Sequence, residues 1–499
     1  MKTLLTNPPW FETGHAVRAG SRWPHAEFDE KGDQTGYCPF PFFIGYTAAV
    51  LAKDGHEVKV IDALATRMGK KKFLKEVESF DPEIVIIETS TPSVNRDLET
   101  AKNIKNSLNA KIALCGPHAT TFPEEILKKN KQIDFIFLGE YEYTSRETAL
   151  ALEKKTSLHK ILGLALRENR RVIVNQRRPL LDLNELPFPA RHLFDMNHYL
   201  EPFAKTPNVQ LTASRGCTFG CIYCLWPPVM YNGRNYRFRN PNNIITEVRQ
   251  IIKDYNPREL YFDDDTFNLV PQKVFDFCKA YKESGINKPW SAMCSTIPAT
   301  REMLETMRDA GCEALKFGVE SGSEEILRNV GRISENLQHV KDVFRWCKEL
   351  GIRTLGTFMI GLPGDTKETI NKTFELFLEL EPTAYQLSIA TPLPGTPFYQ
   401  LAKEKGWLLA KKWEDFSYSH YIYDLPAIRT DHLSPQELKR YSEYGNTTLY
   451  MKMLAKKIIS DPAFAIERIR SSFEQNGFVP TIKKVCSKGM GMIKSSFEK

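Results

Sequence analysis

The sequence predicts an α/β chain built from two parallel-sheet units in tandem and closed by a helical C-terminal region. Three observations predict it. Short apolar runs alternate with helical stretches over residues 1–150, and again over 201–400. The proline-rich Leu186-Pro187-Phe188-Pro189-Ala190 lies between the two series and marks a boundary. Short buried strands separated by helices are the mark of parallel sheets with both faces covered.

The first series reads as strands at Leu4–Asn7, Glu57–Asp62, Ile84–Thr89, Lys111–Cys115 and Phe135–Leu138. Helices fall at Phe43–Asp54, Lys71–Phe80, from about Arg96, and at Pro123–Lys129. This is a doubly wound sheet, which takes ligands at the carboxyl ends of its strands. The turns there are Asn7-Pro8-Pro9, Thr89-Ser90-Thr91-Pro92, Cys115-Gly116-Pro117-His118 and Leu138-Gly139-Glu140. All are small or polar, as a crevice for a large ligand requires. Residues 151–200 read as a hairpin and linker. The second series has strands near Val209–Ala213, Leu260–Asp263, Trp290–Cys294, Ala314–Glu320, Thr354–Ile360 and Tyr385–Ala390, with helices such as Thr300–Ala310 and Leu337–Leu350 between them. Six such units make a partial (β/α)6 barrel whose chemistry belongs at the strand C-termini. Residues 401–499 read as helical.

A chain of 499 residues exceeds one ordinary core, so two or three domains are expected. No run of about 18 apolar residues predicts a spanning helix. The start, Met1–Pro9, reads as a strand broken by Pro-Pro rather than a signal peptide, which places the chain in the cytoplasm. The net charge is +7, and residues 451–499 hold ten Lys/Arg against four acids, +6 of that excess. The remainder is near neutral, which argues against a nucleic-acid groove. Apolar positions from Leu449 to Ile493 interleave with those basic residues, a pattern of short amphipathic helices on a membrane surface. The alternative is a stripe packed on the barrel with a solvated basic face.

The chemistry concentrates in Ser214-Arg215-Gly216-Cys217-Thr218-Phe219-Gly220-Cys221-Ile222-Tyr223-Cys224, the loop after the first barrel strand. Thiolates at Cys217, Cys221 and Cys224 can hold three irons of a [4Fe–4S] cubane and leave the fourth open. An open iron can chelate the amino and carboxylate groups of S-adenosylmethionine (SAM) and pass an electron to its sulfonium. Zinc is the competing reading, but a structural zinc site takes four ligands, and no fourth Cys or His lies nearby in sequence. Downstream strand ends carry matching groups. Asp264 and Asp265 offer acceptors for an ammonium, Glu320 in Gly318-Val319-Glu320-Ser321-Gly322 accepts from ribose hydroxyls, and Arg332 pairs with a carboxylate.

The cysteine loop, these strand ends, Gly361-Leu362-Pro363-Gly364 and Pro392-Leu393-Pro394-Gly395-Thr396-Pro397 resemble the radical SAM superfamily, and within it the branch with an N-terminal cobalamin (B12)-binding domain. The resemblance covers about residues 1–420. It implies a Rossmann-like cobalamin-binding domain, 5′-deoxyadenosyl radical chemistry on an unactivated carbon and often methyl transfer, with Tyr223 beside the adenine. A reducing donor such as flavodoxin or ferredoxin goes with it. Cobalamin would lie against Pro8, Pro9, Thr91, Gly116, Pro117, His118, Gly139 and Glu140. The D-x-H-x-x-G signature that supplies a cobalt-ligating histidine is absent: Asp54-Gly55-His56-Glu57-Val58-Lys59 lacks its glycine and precedes the second strand. The same branch often lacks it, so cobalt would receive no protein histidine; an empty, vestigial domain is the alternative.

Cys224-Leu225-Trp226-Pro227, Tyr236-Arg237-Phe238-Arg239 and Gly356-Thr357-Phe358-Met359-Ile360-Gly361 are similar to hopanoid cyclitol-ether and calditol synthases, which implies a small-molecule or lipid-linked substrate and either methylation or ring rearrangement. The other class of reading is a non-catalytic cobalamin or iron–sulfur carrier that senses redox state.

Overall fold

The computed structural model describes residues 1–9, 37–168, 171–416, 425–449, 451–453 and 455, together with the backbone of a two-residue ribbon pairing His15–Ala16 with Ala26–Glu27. The first sheet contains β1 (Lys2–Asn7), β2 (Glu57–Asp62), β3 (Ile84–Glu88), β4 (Lys111–Cys115), β5 (Phe135–Phe137), β6 (Leu164–Glu168) and β7 (Arg171–Val174). Their order is β2-β1-β3-β4-β5-β6-β7. Strands β1 to β5 are parallel, as expected, and β6 and β7 join antiparallel. Every residue of β3, Ile-Val-Ile-Ile-Glu, is buried, because helices cover both faces of the sheet. The hairpin read as part of a linker is the edge of this sheet. Leu164, Ala165 and Leu166 are buried against it, and pairing with β5 covers an apolar edge that would otherwise be open.

Strand order reverses between β1 and β3, so a crevice opens there at the carboxyl ends. The two faces of the sheet pack separately. Leu5, Ile84 and Ile86 meet the helices Phe42–Lys53 and Glu142–Lys154, while Leu4, Val85 and Ile87 meet helices Lys70–Phe80 and Val94–Ser107 on the other side.

The second sheet is a half-barrel of six parallel strands in chain order: β8 (Asn208–Leu211), β9 (Glu259–Phe262), β10 (Trp290–Cys294), β11 (Cys312–Glu320), β12 (Arg353–Ile360) and β13 (Ala384–Ile389). Its outer core runs through Phe262, Phe277, Trp290, Phe317 and Phe344. Helices between the strands start from local signals. Asn240 caps Pro241–Tyr255 by accepting from the Asn242 N–H, with Pro241 at the first helical position. Thr366 and Thr369 close a reciprocal box at the start of Lys367–Leu380.

After the half-barrel come a single turn at Trp413–Phe416, the helix Pro435–Tyr444 and the wider helical turn Gly445–Leu449. The amphipathic basic segment read over 451–499 lies outside the described residues, apart from 451–453 and 455. Among the described residues no helix is long and apolar enough to cross a membrane.

Candidate active site

The cysteine loop is held on two sides by carboxylates. Ser214–Arg215 pairs with Arg237–Phe238 in a short antiparallel ribbon. Asp264, at the end of β9, accepts from the Ala213 N–H at 3.2 Å and from the Ser214 hydroxyl. Asp265 accepts from the Gly216 N–H at 2.8 Å. Gly216 has φ +95°, and a Cβ there would sit 2.4 Å from the Asn235 carbonyl oxygen, so only glycine fits.

Cys217, Cys221 and Cys224 are half-buried, free, and line one cavity. The Thr266 hydroxyl lies 3.6 Å from Cys217 Sγ. Burial pushes the Cys217 and Cys224 thiols up, so each keeps its proton until a metal displaces it. Three thiolates gathered at one cavity suit a cubane, in which each meets its own iron and a fourth iron is left open.

The same cavity gathers the groups expected to meet SAM. Tyr223, Asp265, Glu320 and Arg332 all line it. Glu320 sits at φ +67° just past a register shift in β11, a strained backbone that turns its carboxylate inward. Burial pushes that carboxyl up to about 7, against the opposing pull of Arg332. Arg332 is buried rather than solvated: Nη2 donates to the Gly318 carbonyl at 2.6 Å and to Glu335 at 2.5 Å, and Nη1 lies 3.8 Å from Glu320.

Two expected SAM contacts fall elsewhere. Asp264 is outside the cavity lining, because both its oxygens serve the loop backbone and Ser214. Ser321, also outside it, bonds Thr373 at 3.3 Å and the Ser323 N–H, which organises the turn after β11.

Of the strand-end turns of the first sheet, the one after β4 reaches this cavity, where Pro117 lines it. Pro8 and Thr91 are buried and Pro9 half-buried, at the point where strand order reverses. Gly116 (φ +93°) lets the end of β4 pass the turn after β3, where a Cβ would lie 2.4 Å from the Thr89 carbonyl oxygen. His118 is buried, its Nδ1 3.1 Å from the Thr91 hydroxyl and its ring between Phe122 and Trp413. Burial lowers its pKa to about 3, so it is neutral.

Gly139 and Glu140 pack against the half-barrel segments around the cysteine loop. A Cβ on Gly139 would meet the Met230 carbonyl oxygen at 2.8 Å. Glu140 is committed to Arg215 and Arg237, each at 2.8 Å. Burial would raise its carboxyl, but the two guanidiniums hold it below the ordinary range.

An independent observation fits cobalamin to the first sheet. Thr3 and Asn7 flank Leu5 on the face beneath helices Phe42–Lys53 and Glu142–Lys154. Their side chains, with those of Thr47, Ser145 and Thr148 on the two helices, are buried without a hydrogen-bond partner among the described residues. Buried polar groups are normally paired. Such a row within an apolar layer fits a large ligand whose polar appendage enters between sheet and helices.

Sequence reasoning gave no individual site role to Arg215, Thr266, Thr357, Met359, Ser388 or Trp413. Thr357 and Met359 line the cavity, and their spacing of two along β12 is the signal that places them on one face. Trp413 packs 4.8 Å from His118 across nearly three hundred residues, and no local pattern announces that contact.

A cubane-bearing loop on a half-barrel, facing the strand ends of a cobalamin-type sheet, defines a radical SAM enzyme with an N-terminal B12-binding domain. Comparison with known proteins agrees. Residues 211–377 match the radical SAM superfamily and residues 32–149 the B12 binding domain. An uncharacterized methyltransferase of Pyrococcus horikoshii is 30% identical over 433 residues, 86% of this chain and 92% of that protein. The cytidylyl-2-hydroxyethylphosphonate methyltransferase of Streptomyces wedmorensis is 26% identical, covering 74% of this chain and 79% of that one. The fold is shared with the cobalamin-dependent S-adenosylmethionine radical enzyme OxsB, solved with aqua-cobalamin and S-adenosylmethionine bound (TM-score 0.69, 15% identity, 99% of this chain and 75% of that chain). The chain belongs to the radical SAM superfamily, in the branch that carries a B12 binding domain.

Proposed function

We propose that this enzyme methylates an unactivated carbon of a small-molecule substrate, using a [4Fe–4S] cluster, SAM and cobalamin. One observation carries the reading: a single cavity is lined by the three cysteines, by Tyr223, Glu320 and Arg332, and by Pro117 from the crevice of the first sheet. When bound, the cluster supplies the electron that cleaves SAM to a 5′-deoxyadenosyl radical, and cobalamin supplies the methyl group. The chain's own residues do the rest. Arg332 and Asp265 offer opposite charges for the carboxylate and ammonium of SAM, Glu320 accepts from its ribose, and Tyr223 closes over the adenine. Thr357, Met359, Ser388, Thr391 and Leu393 form the far wall, where a substrate would sit between the two cofactors. That both relatives are methyltransferases supports methyl transfer over ring rearrangement. A flavodoxin- or ferredoxin-type donor would reduce the cluster.

The test is anaerobic incubation of reconstituted protein with SAM and a reductant, alongside mass spectrometry of cells with and without the gene grown on methyl-labelled methionine. The expected result is 5′-deoxyadenosine in vitro and a gene-dependent metabolite or lipid carrying the labelled methyl in vivo. SAM left intact under reduction would instead indicate a carrier. A gene-dependent product without label would indicate rearrangement.

A further inference from the structure

Arg215 precedes the first cluster cysteine by two residues, yet its side chain leaves the half-barrel and is buried in the N-terminal domain. Its Nη1 donates to Glu140 at 2.8 Å, and its Nη2 faces Glu142 at 2.7 Å as an ion pair without hydrogen-bond alignment. The guanidinium also lies over Phe43 at 4.7 Å and Tyr46 at 4.9 Å, both on the helix Phe42–Lys53. Glu140 binds a second arginine of the half-barrel, Arg237, which pairs with Arg215 in the ribbon and donates to the Leu181 carbonyl at 2.8 Å. Both carboxylates follow β5 directly, at the carboxyl edge of the sheet that carries the cobalamin crevice. From the opposite side Asp265 grips the Gly216 N–H. The backbone of residues 214–216 is therefore pinned between two domains: a buried, forked guanidinium that is hydrogen-bonded to one carboxylate and ion-paired with a second leaves the ribbon little play.

We propose that Arg215 is a positioning residue that sets the separation between the cluster and the cobalamin, with Glu140 and Glu142 as its anchors. The inference rests on the proposed pairing of those two cofactors in one cavity. Neither carboxylate needs to touch substrate or cofactor for this. The loop that carries Cys217 takes its position from the N-terminal domain, so a slackened anchor moves the cluster relative to the crevice without removing a ligand from either. Displacements of about 1 Å at a reacting centre can cost about a hundredfold in rate, so such a link matters even where both cofactors stay bound.

The test uses full-length holoprotein with both cofactors loaded, as wild type and as Arg215→Lys and Glu142→Gln. Lysine keeps the charge but not the fork. Glu142→Gln keeps the shape of the site and serves if Arg215→Lys does not fold. Iron and cobalamin contents are measured first. Pulsed dipolar electron paramagnetic resonance then reads the separation of the reduced cluster and cob(II)alamin. The expected result is one narrow distance in wild type and a shifted or broadened distribution in the variants, at unchanged iron and cobalamin content. A variant with full occupancy and the wild-type distance distribution would overturn the positioning role. Wild-type protein that binds the cluster but takes up no cobalamin would overturn the paired-cofactor reading, and this inference with it.

Discussion

Asp97 is a carboxyl buried with no cation beside it among the described residues. It accepts from the Thr89 hydroxyl at 2.5 Å and the Ser93 hydroxyl at 2.7 Å, and so fixes the turn that presents Thr91 to the crevice. Burial pushes its pKa up to about 7, from an ordinary 3.8, over the opposing pull of those hydroxyls. Its folded pKa lies above its unfolded one, so the stability it contributes is complete below about pH 4 and is lost as pH rises through 7. That is up to about 4 kcal/mol. Asp97→Asn keeps an acceptor and removes the titration. Thermal melts between pH 5 and 8 should show wild type losing stability across that window more steeply than the variant; equal slopes would mean that Asp97 does not titrate there. His118 has the opposite sign. Its pKa is lowered to about 3, so its contribution is present above about pH 6.5 and lost as pH falls through 3. At the cluster, the prediction concerns the metal itself. Reconstituted wild type should hold about four irons per chain, and the triple Cys→Ala change at 217, 221 and 224 should hold none by iron analysis. The buried cysteines 38, 115, 278, 312 and 347, and Cys294 although it lines the same cavity, should each be replaceable by Ala without loss of iron; Cys486 lies outside the described residues.

At the scale of elements, the crossing of β4 past the turn after β3 depends on Gly116. Alanine there would take a left-handed backbone, at about 1–3 kcal/mol, and would push a Cβ to 2.4 Å from the Thr89 carbonyl oxygen. Gly116→Ala should therefore lower the melting temperature and impair cobalamin uptake, while the cluster irons remain; calorimetry and absorbance of the loaded protein check both. The strands themselves were legible. Runs such as Ile84–Glu88 and Lys111–Cys115 end where their apolar residues end, and the structure places each expected strand within two residues of its reading. Helix Glu142–Lys154 was harder to read, because its buried face mixes Thr144, Ser145 and Thr148 with only the small apolar Ala149 and Ala151. The cysteine loop was legible because its chemistry is local. Asp264 and Asp265 show the limit: adjacent acids in one turn look alike in sequence and both hold the loop, yet only Asp265 also lines the cavity. Glu140 shows it again, since its partner Arg215 is 75 residues away.

The whole molecule joins its two sheets more tightly than a linker between independent domains would. Trp226, Val229, Met230 and Tyr231, from the segment after the cysteines, belong to the apolar core beneath the first sheet, and Trp226 stacks on Phe43 at 6.0 Å with planes 11° apart. The Arg177 guanidinium crosses back to the Val229 carbonyl at 2.7 Å. A second buried set, Arg191 and Arg239 around Glu247, ties the linker to the first barrel helix. Cutting the chain at residue 150 would expose that apolar core, remove β6 and β7, and strip Glu140 and Glu142 of their arginines. Removing one partner of a buried ion pair alone costs about 3–5 kcal/mol, a large share of the roughly 5–15 kcal/mol that holds a domain folded. A fragment of residues 1–150 should therefore be molten or insoluble and bind no hydroxocobalamin, whereas the full chain binds it. By the same reasoning the full chain should unfold in one calorimetric transition rather than two. Circular dichroism and cobalamin absorbance on the fragment, with scanning calorimetry on the whole protein, check this; a fragment that melts cooperatively and takes up cobalamin would show that the interface is dispensable to the sheet.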